Sequence, residues 1–273
     1  MVNGLTAAGN NTISSLRLML TQPKLNGQPQ YDKNFIDLAN LAGFETYWLS
    51  NQGFIGKYDT PITAIAKKSK HTFFIKKGAY DSLNTSDYLL IPEFKKIISN
   101  KNKKLIVIHL YGSHPNACDR IEDYPKILDK VEHKYDEINC YISSIKKTDE
   151  ILQIIYTSLV NVKNKENISF SMLYFSDHGL SSKNDNGKVV LRVGDKKQSY
   201  QTPLFMVNSD SINRKECKSF KSGLNFTNGI ANWLGISNKQ LPEYSLFNCK
   251  DDNNQDTHQI MLNNAKNDIP IQF

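Results

Sequence analysis

The chain has 273 residues and a formal net charge of +7, with 39% apolar residues and a mean hydropathy of -0.48. This length buries a sizeable core. No run approaches the roughly 20 apolar residues of a membrane span, and nothing at the N-terminus resembles a signal peptide. The lysines fall in separate clusters, at 67–70 and 95–104, without the aromatic interleaving of a base-stacking platform. The basic balance therefore points to a solvated face, or to attraction toward an anionic membrane surface, and not to nucleic acid.

In chain order, Phe35, Leu38 and Leu41 have helical spacing with a stop at Gly43, and 45–49 follows as a strand running into a polar loop. Residues 61–70 predict a short helix and 71–76 a short strand. The stretch 87–99 is expected to be a helix with Pro92 in its first turn or at a kink. Residues 103–112 form a nearly continuous apolar run ending at Gly112, the pattern of a strand buried on both faces. A long helix is expected across 135–160, with Ile138, Ile142, Ile145, Ile151, Leu152, Ile155 and Leu159 as its apolar stripe. Further central strands are expected at 168–177 and 202–210, and a late helix at 226–236 is stopped at Gly235. Residues 183–188 are a loop with an Asn-Gly turn signal, and the Asn-, Asp- and Gln-rich tail after Cys249 is expected to be loosely ordered. Strands alternating with helices predict an α/β fold, with a mostly parallel central sheet covered by helices on both faces. No repeat or linker divides the chain, so one domain over 1–273 is expected.

In open α/β sheets, ligands collect beyond the carboxyl ends of the strands. Asn51 and Gln52 follow the strand at 45–49, while His109 and His114 close the run at 103–112. Asp177 and His178 close the run at 168–177. A carboxylate and an imidazole at adjacent positions suit zinc if the turn at Gly179 is tight. The four cysteines, Cys118, Cys140, Cys217 and Cys249, include no CxxC pair, which argues against a zinc knuckle. Two local disulfides or four reduced thiols both fit the sequence.

The set as a whole carries a resemblance. SDHG at 176–179, GSH at 112–114 and GFETYWLSNQG at 43–53 resemble the periplasmic catalytic domain of phosphoethanolamine transferases. These are sulfatase-like members of the alkaline phosphatase superfamily. AAGNNTISSLRLMLT at 7–21 resembles the family's nucleophile segment, in which a threonine opens a helix and a Met-aliphatic pair follows. Here those residues are Thr12, Met19 and Leu20, and ordered matches continue to Gly235.

The resemblance implies Thr12 as nucleophile and zinc ligand, with Asp177 and His178 as further zinc ligands. His114, with Asn51 and Gln52, would contact the phosphoryl group or assist proton transfer, and Arg192 would supply a cationic contact. A threonine hydroxyl is a poor nucleophile at its free pKa; Zn2+ and a helix N-terminus both favour the alkoxide. Thr12 is expected at the N-cap of that helix. It would take phosphoethanolamine from phosphatidylethanolamine and pass it to lipopolysaccharide (lipid A or a core sugar) or a periplasmic glucan. A monomeric periplasmic domain of an inner-membrane protein is implied, meeting the membrane surface through a part outside this sequence. In that oxidising compartment, Cys217–Cys249 and then Cys118–Cys140 are expected to pair.

Three departures from the family pattern qualify these implications. The family's zinc site takes a glutamate from a strand upstream of the nucleophile, and the eleven residues before Thr12 include no acid. That strand and the membrane helices lie outside this sequence, so the domain is expected to be truncated and to bind metal weakly. Leu180 stands where the family usually has an acid, and Val193 where it has a histidine. The alternatives are a sulfatase-like domain without turnover, or a phosphodiesterase or sulfatase of the same superfamily. A sulfatase needs a formylglycine-forming cysteine, and none lies near Thr12.

Overall fold

The computed structural model describes residues 1–24, 27–53, 60–76, 84–253 and 265–268. Its elements run β1 (Val2–Thr6), α1 (Thr12–Met19), α2 (Phe35–Leu41), β2 (Glu45–Ser50), α3 (Thr60–Ala66), β3 (His71–Phe74) and α4 (Ile91–Ile98). They continue with β4 (Lys104–His109), α5 (Asp136–Glu166), β5 (Ser171–Phe175), β6 (Ser181–Asp185), β7 (Lys188–Arg192), β8 (Gln201–Asn208), β9 (Lys221–Ser222) and α6 (Phe226–Trp233).

The strands that the apolar runs predict form the centre of the molecule. β2 pairs in parallel with β3 on one side and β4 on the other, giving the order β3-β2-β4. A second sheet has the order β5-β8-β1-β9, and it is mixed. β8 runs antiparallel to both β5 and β1, while β9 runs parallel to β1. The parallel expectation thus describes the first sheet only. The chain between β5 and β8 makes a hairpin rather than a crossover helix, and antiparallel neighbours need no such helix. That hairpin, β6–β7, turns at Asn186 and Gly187, both at positive φ as the Asn-Gly signal requires.

Alternation along the strands assigns their side chains to two cores. Trp48 packs with α1, α2, α3 and α6 residues, whereas Leu49 packs with α4 and α5 residues. In β4, Leu105 and Val107 join the first core and Ile106 and Ile108 the second; in β5, Leu173 and Phe175 join the first and Met172 the second. Both sheets therefore share one layer with helices on both faces, as expected.

A strand does precede Thr12. β1 contains Asn3 and Gly4, poor strand formers, and its register is irregular between Val2 and Leu5. Pairing on both edges is what holds it extended. It carries no acidic residue, so it does not supply the glutamate that the family takes from its upstream strand.

Both disulfides form. Cys118–Cys140 ties the loop after β4 to α5, and Cys217–Cys249 ties the approach to β9 to the tail. The described parts of that tail, 250–253 and 265–268, are anchored. Asp252 accepts hydrogen bonds from the Ser222 backbone and the Tyr244 hydroxyl and pairs with buried Lys221, and Asp268 accepts from the Ser182 hydroxyl.

Candidate active site

Helix α1 begins one residue earlier than expected. Asn11, not Thr12, is the N-cap: its side chain accepts from the Ser14 backbone N–H while the Ser14 hydroxyl reaches back to the Asn11 backbone. Asparagine caps more strongly than threonine, and Thr12 is left in the first turn with its hydroxyl uncommitted to capping. The positive end of the helix remains at Thr12.

Thr12 Oγ1 lies 3.4 Å from His178 Nε2 across 166 residues of sequence. His178 Nδ1 faces the Gly179 carbonyl at 2.7 Å, which places the ring proton there and leaves the Nε2 lone pair toward Thr12. The Thr12 hydroxyl thus donates to His178. Asp177 Oδ2 is 3.8 Å from the same Nε2, and the Ser15 hydroxyl of α1 donates to the Asp177 carbonyl at 2.5 Å. The Asp-His turn is pressed against the chain before β8. Gly179 donates to the Ser199 carbonyl, and a Cβ at Gly179 would lie 2.0 Å from the Gln198 carbonyl oxygen. Close backbone approach, rather than an unusual φ, demands this glycine.

The opposite wall follows β4. His114 stacks on Tyr111 with ring centroids 4.9 Å apart. Burial, followed by Arg120 and His178, pushes the His114 pKa down to about 4, against the opposing effect of its contact with the Pro115 carbonyl. The imidazole is therefore neutral at neutral pH. Burial likewise lowers His109, which lies behind it in β4.

The expected substrate contacts diverge. Asn51 is fully buried and spends its amide on Thr85 and Asp87 at 2.8 Å each. Gln52 donates to the Leu110 carbonyl, but its Oε1 is buried without a hydrogen-bond partner among the described residues, and the residue lines the same cleft as Thr12, His114, Asp177 and His178. Arg192 pairs with Glu137 at the start of α5 and with its own neighbour's carbonyl. Val193 is 46% exposed, and the next residues, Gly194 and Asp195, accept from the Asn10 side chain.

Two residues escape sequence reasoning. Asp87 accepts from the Tyr111 and Gly112 backbones at 2.8 Å each, as well as from Asn51, and so fixes the turn that carries His114. Arg120 lies 4.1 Å over the Tyr111 ring with its side chain 9% exposed, and its Nε and Nη1 are buried without hydrogen-bond partners among the described residues. Neither sits in a motif; a buried cation or anion announces itself only through its surroundings.

A zinc ion would find one imidazole nitrogen with its lone pair set, one carboxylate and one hydroxyl at a single locus. No group of three or more His, Cys, Asp or Glu residues suited to a metal occurs among the described residues. The set fits a cation, but beside the Thr12 hydroxyl it offers two His, Cys, Asp or Glu ligands where catalytic zinc sites usually have three.

Known proteins resemble this chain in sequence and in fold. The Sulfatase family model matches residues 1–236. A putative phosphoethanolamine transferase of Haemophilus influenzae is 51% identical over 191 residues, covering 68% of this chain and 39% of its own length. The phosphoethanolamine transferase OpgE of Escherichia coli is 38% identical over 250 residues, covering 88% of this chain and 46% of its own. The chain thus spans under half the length of these relatives. Among solved structures, the C-terminal periplasmic domain of EptC from Escherichia coli in complex with zinc superposes with a TM-score of 0.71 at 18% identity, covering 89% of this chain and 76% of that one. The lipoteichoic acid synthase LtaP of Listeria monocytogenes gives 0.63 at 14% identity, covering 89% and 65%. The chain belongs to the sulfatase family.

Proposed function

We propose that this domain transfers phosphoethanolamine from phosphatidylethanolamine to a cell-envelope acceptor through a covalent intermediate on Thr12. The observation that carries the reading is the contact of the Thr12 hydroxyl, at the positive end of α1, with an imidazole nitrogen whose tautomer the Gly179 carbonyl sets. The relatives named phosphoethanolamine transferases support the same reaction class.

Asp177 and His178 would hold a zinc ion beside Thr12. When bound, it supplies positive charge that lowers the pKa of the hydroxyl and offsets charge on the phosphoryl oxygens. Thr12 Oγ1 forms a bond to phosphorus, and the bond from phosphorus to the diacylglycerol oxygen breaks. The Thr12 proton ends on the departing diacylglycerol, and His114, kept neutral by burial, is assigned its relay. Arg120, with two unspent N–H groups, adds positive charge beside His114, and Gln52 offers an unused polar atom in the cleft. In the second half, an acceptor hydroxyl attacks the same phosphorus and Thr12 recovers its proton. Asn51 and Arg192 are left with positioning roles, since Asp87 and Glu137 occupy them. The acceptor is a hydroxyl or phosphate of lipopolysaccharide or a glucan, reached in the periplasm by a domain tethered to the inner membrane.

Incubation with phosphatidylethanolamine and zinc, followed by intact-mass measurement, should give a single phosphoethanolamine adduct. Thr12→Ala should abolish it and Thr12→Ser should restore part. Equal adducts in wild type and Thr12→Ala overturn the mechanism. Absence of any adduct favours a domain without turnover, a reading the short donor set also supports.

A further inference from the structure

The loop between β7 and β8 borders both halves of the site. At one end Asn10, two residues before Thr12, donates to the Gly194 carbonyl at 3.2 Å and to Asp195 Oδ1 at 2.6 Å. At the other end the Ser199 carbonyl accepts from the N–H of Gly179, directly after His178. Asn10 is fixed in turn. Its amide nitrogen makes both of those bonds, and its Oδ1 accepts at 3.0 Å from Asn11, the N-cap of α1. A hydrogen-bonded chain thus runs from the helix cap to Asp195 and holds a carboxylate beside the segment that carries Thr12. Asp195 is exposed, and its Oδ2 has no hydrogen-bond partner among the described residues. It forms no ion pair among them either, although Lys196 and Lys197 follow it in sequence. The neighbouring cation Arg192 is committed to Glu137.

The geometry points to Asp195 as the residue that recognises the ammonium of the ethanolamine head group, a role that rests on the phosphoethanolamine reading of Thr12. Phosphoethanolamine carries opposite charges at its two ends, and the site offers an opposite charge to each. The phosphoryl end meets the positive end of α1 at Thr12. The ammonium presents three N–H donors and no acceptor, while an ionised carboxylate accepts only. Asp195 Oδ2 is such an acceptor, and Asn10 holds its partner oxygen in place. The lengths match. Two residues of chain separate Asn10 from Thr12, at most about 7 Å, and the four bonds from phosphorus to nitrogen extend about 5 Å. A phosphoryl group on Thr12 Oγ1 therefore has the carboxylate within reach of its ammonium. Because Asp195 is exposed, water and salt screen the pair, and the preference it confers is a few-fold one. An amide at position 195 would still accept from Asn10 and would lack the charge, so the two roles of this side chain separate in one substitution.

Titration of the whole chain, supplied with zinc, with O-phosphoethanolamine and with n-propyl phosphate tests this; the second ligand replaces the ammonium by a methyl group. The wild-type chain should bind O-phosphoethanolamine about fivefold more tightly, and the preference should shrink as salt is added. The side-chain amide resonances of Asn10 should shift with O-phosphoethanolamine and not with n-propyl phosphate. Asp195→Asn should abolish the preference while leaving n-propyl phosphate binding within about twofold. A preference that survives in Asp195→Asn overturns the proposal. Equal weakening of both ligands in that variant also overturns it, in favour of a carboxylate that only holds the loop, and so does binding of neither ligand to the wild-type chain. None of these readouts requires a bond to Thr12. An adduct that forms on Thr12 with its head-group preference unchanged in Asp195→Asn removes Asp195 and leaves the Thr12 mechanism standing. The preference seen in the titration without any adduct keeps Asp195 and removes the transfer.

Discussion

The β5 wall of the cleft holds its reactive atoms by backbone contacts, while the β4 wall holds its own by side chains. On the first, Ser15 grips the Asp177 carbonyl, Gly179 lies against the Gln198 carbonyl, and His178 turns on its own neighbour's oxygen. On the second, one buried carboxylate, Asp87, gathers the Tyr111 and Gly112 amides and Asn51, and a disulfide ties the following loop to α5. The contrast teaches how each wall can fail. A backbone-held turn tolerates no added atoms, whereas a side-chain hub fails when its one acceptor is lost.

The largest stability effect is expected at the hub. Asp87→Ala leaves three donors without their acceptor and should cost about 4 kcal/mol, at about 1–3 kcal/mol for each unsatisfied group. Denaturant titration reads the loss; a cost under about 1 kcal/mol would show that Asp87 does not organise this wall. Next comes Gly179→Ala, whose Cβ would meet a backbone oxygen at 2.0 Å. Overpacking against backbone should cost about 3 kcal/mol and weaken the Thr12–His178 contact. Unchanged stability with unchanged adduct formation would remove the close approach from the account of the turn.

A smaller effect should appear with pH. His114 titrates at about 4 in the folded chain and near 6.5 in the unfolded one, so acid favours the unfolded state, which takes up the proton first. Stability should fall as pH drops from about 6.5 to about 4, by about 2 kcal/mol more than in His114→Gln, and the His114 ring resonances should not shift until near pH 4. A ring that titrates near 6.5 would contradict the burial argument. The smallest effect belongs to Arg192→Ala. Its partly exposed pair with Glu137 is worth about 0.5 kcal/mol, and adduct formation on Thr12 should not change. A tenfold slower adduct would return Arg192 to the substrate.

The apolar runs at 104–109 and 171–175 are legible because strands buried on both faces need unbroken apolar sequence, and the Asp177–His178 pair stands out because it ends one of them. β1 was not legible, because VNGLT has no intrinsic preference for a strand and only its neighbours β8 and β9 hold it extended. Asp87 and Arg120 were hidden for a related reason: a charge matters here through burial, which sequence does not display. The approach of Thr12 to His178 across 166 residues and the diversion of Asn51 and Arg192 were likewise settled only in three dimensions. Sequence by itself determined the order of the apolar strands and the helices between them and the reactive residue types, since periodicity and side-chain chemistry are local. Tertiary packing decided which polar atoms were already taken by partners and which were left for substrate, since hydrogen bonding in a buried site is a competition among residues far apart in the chain.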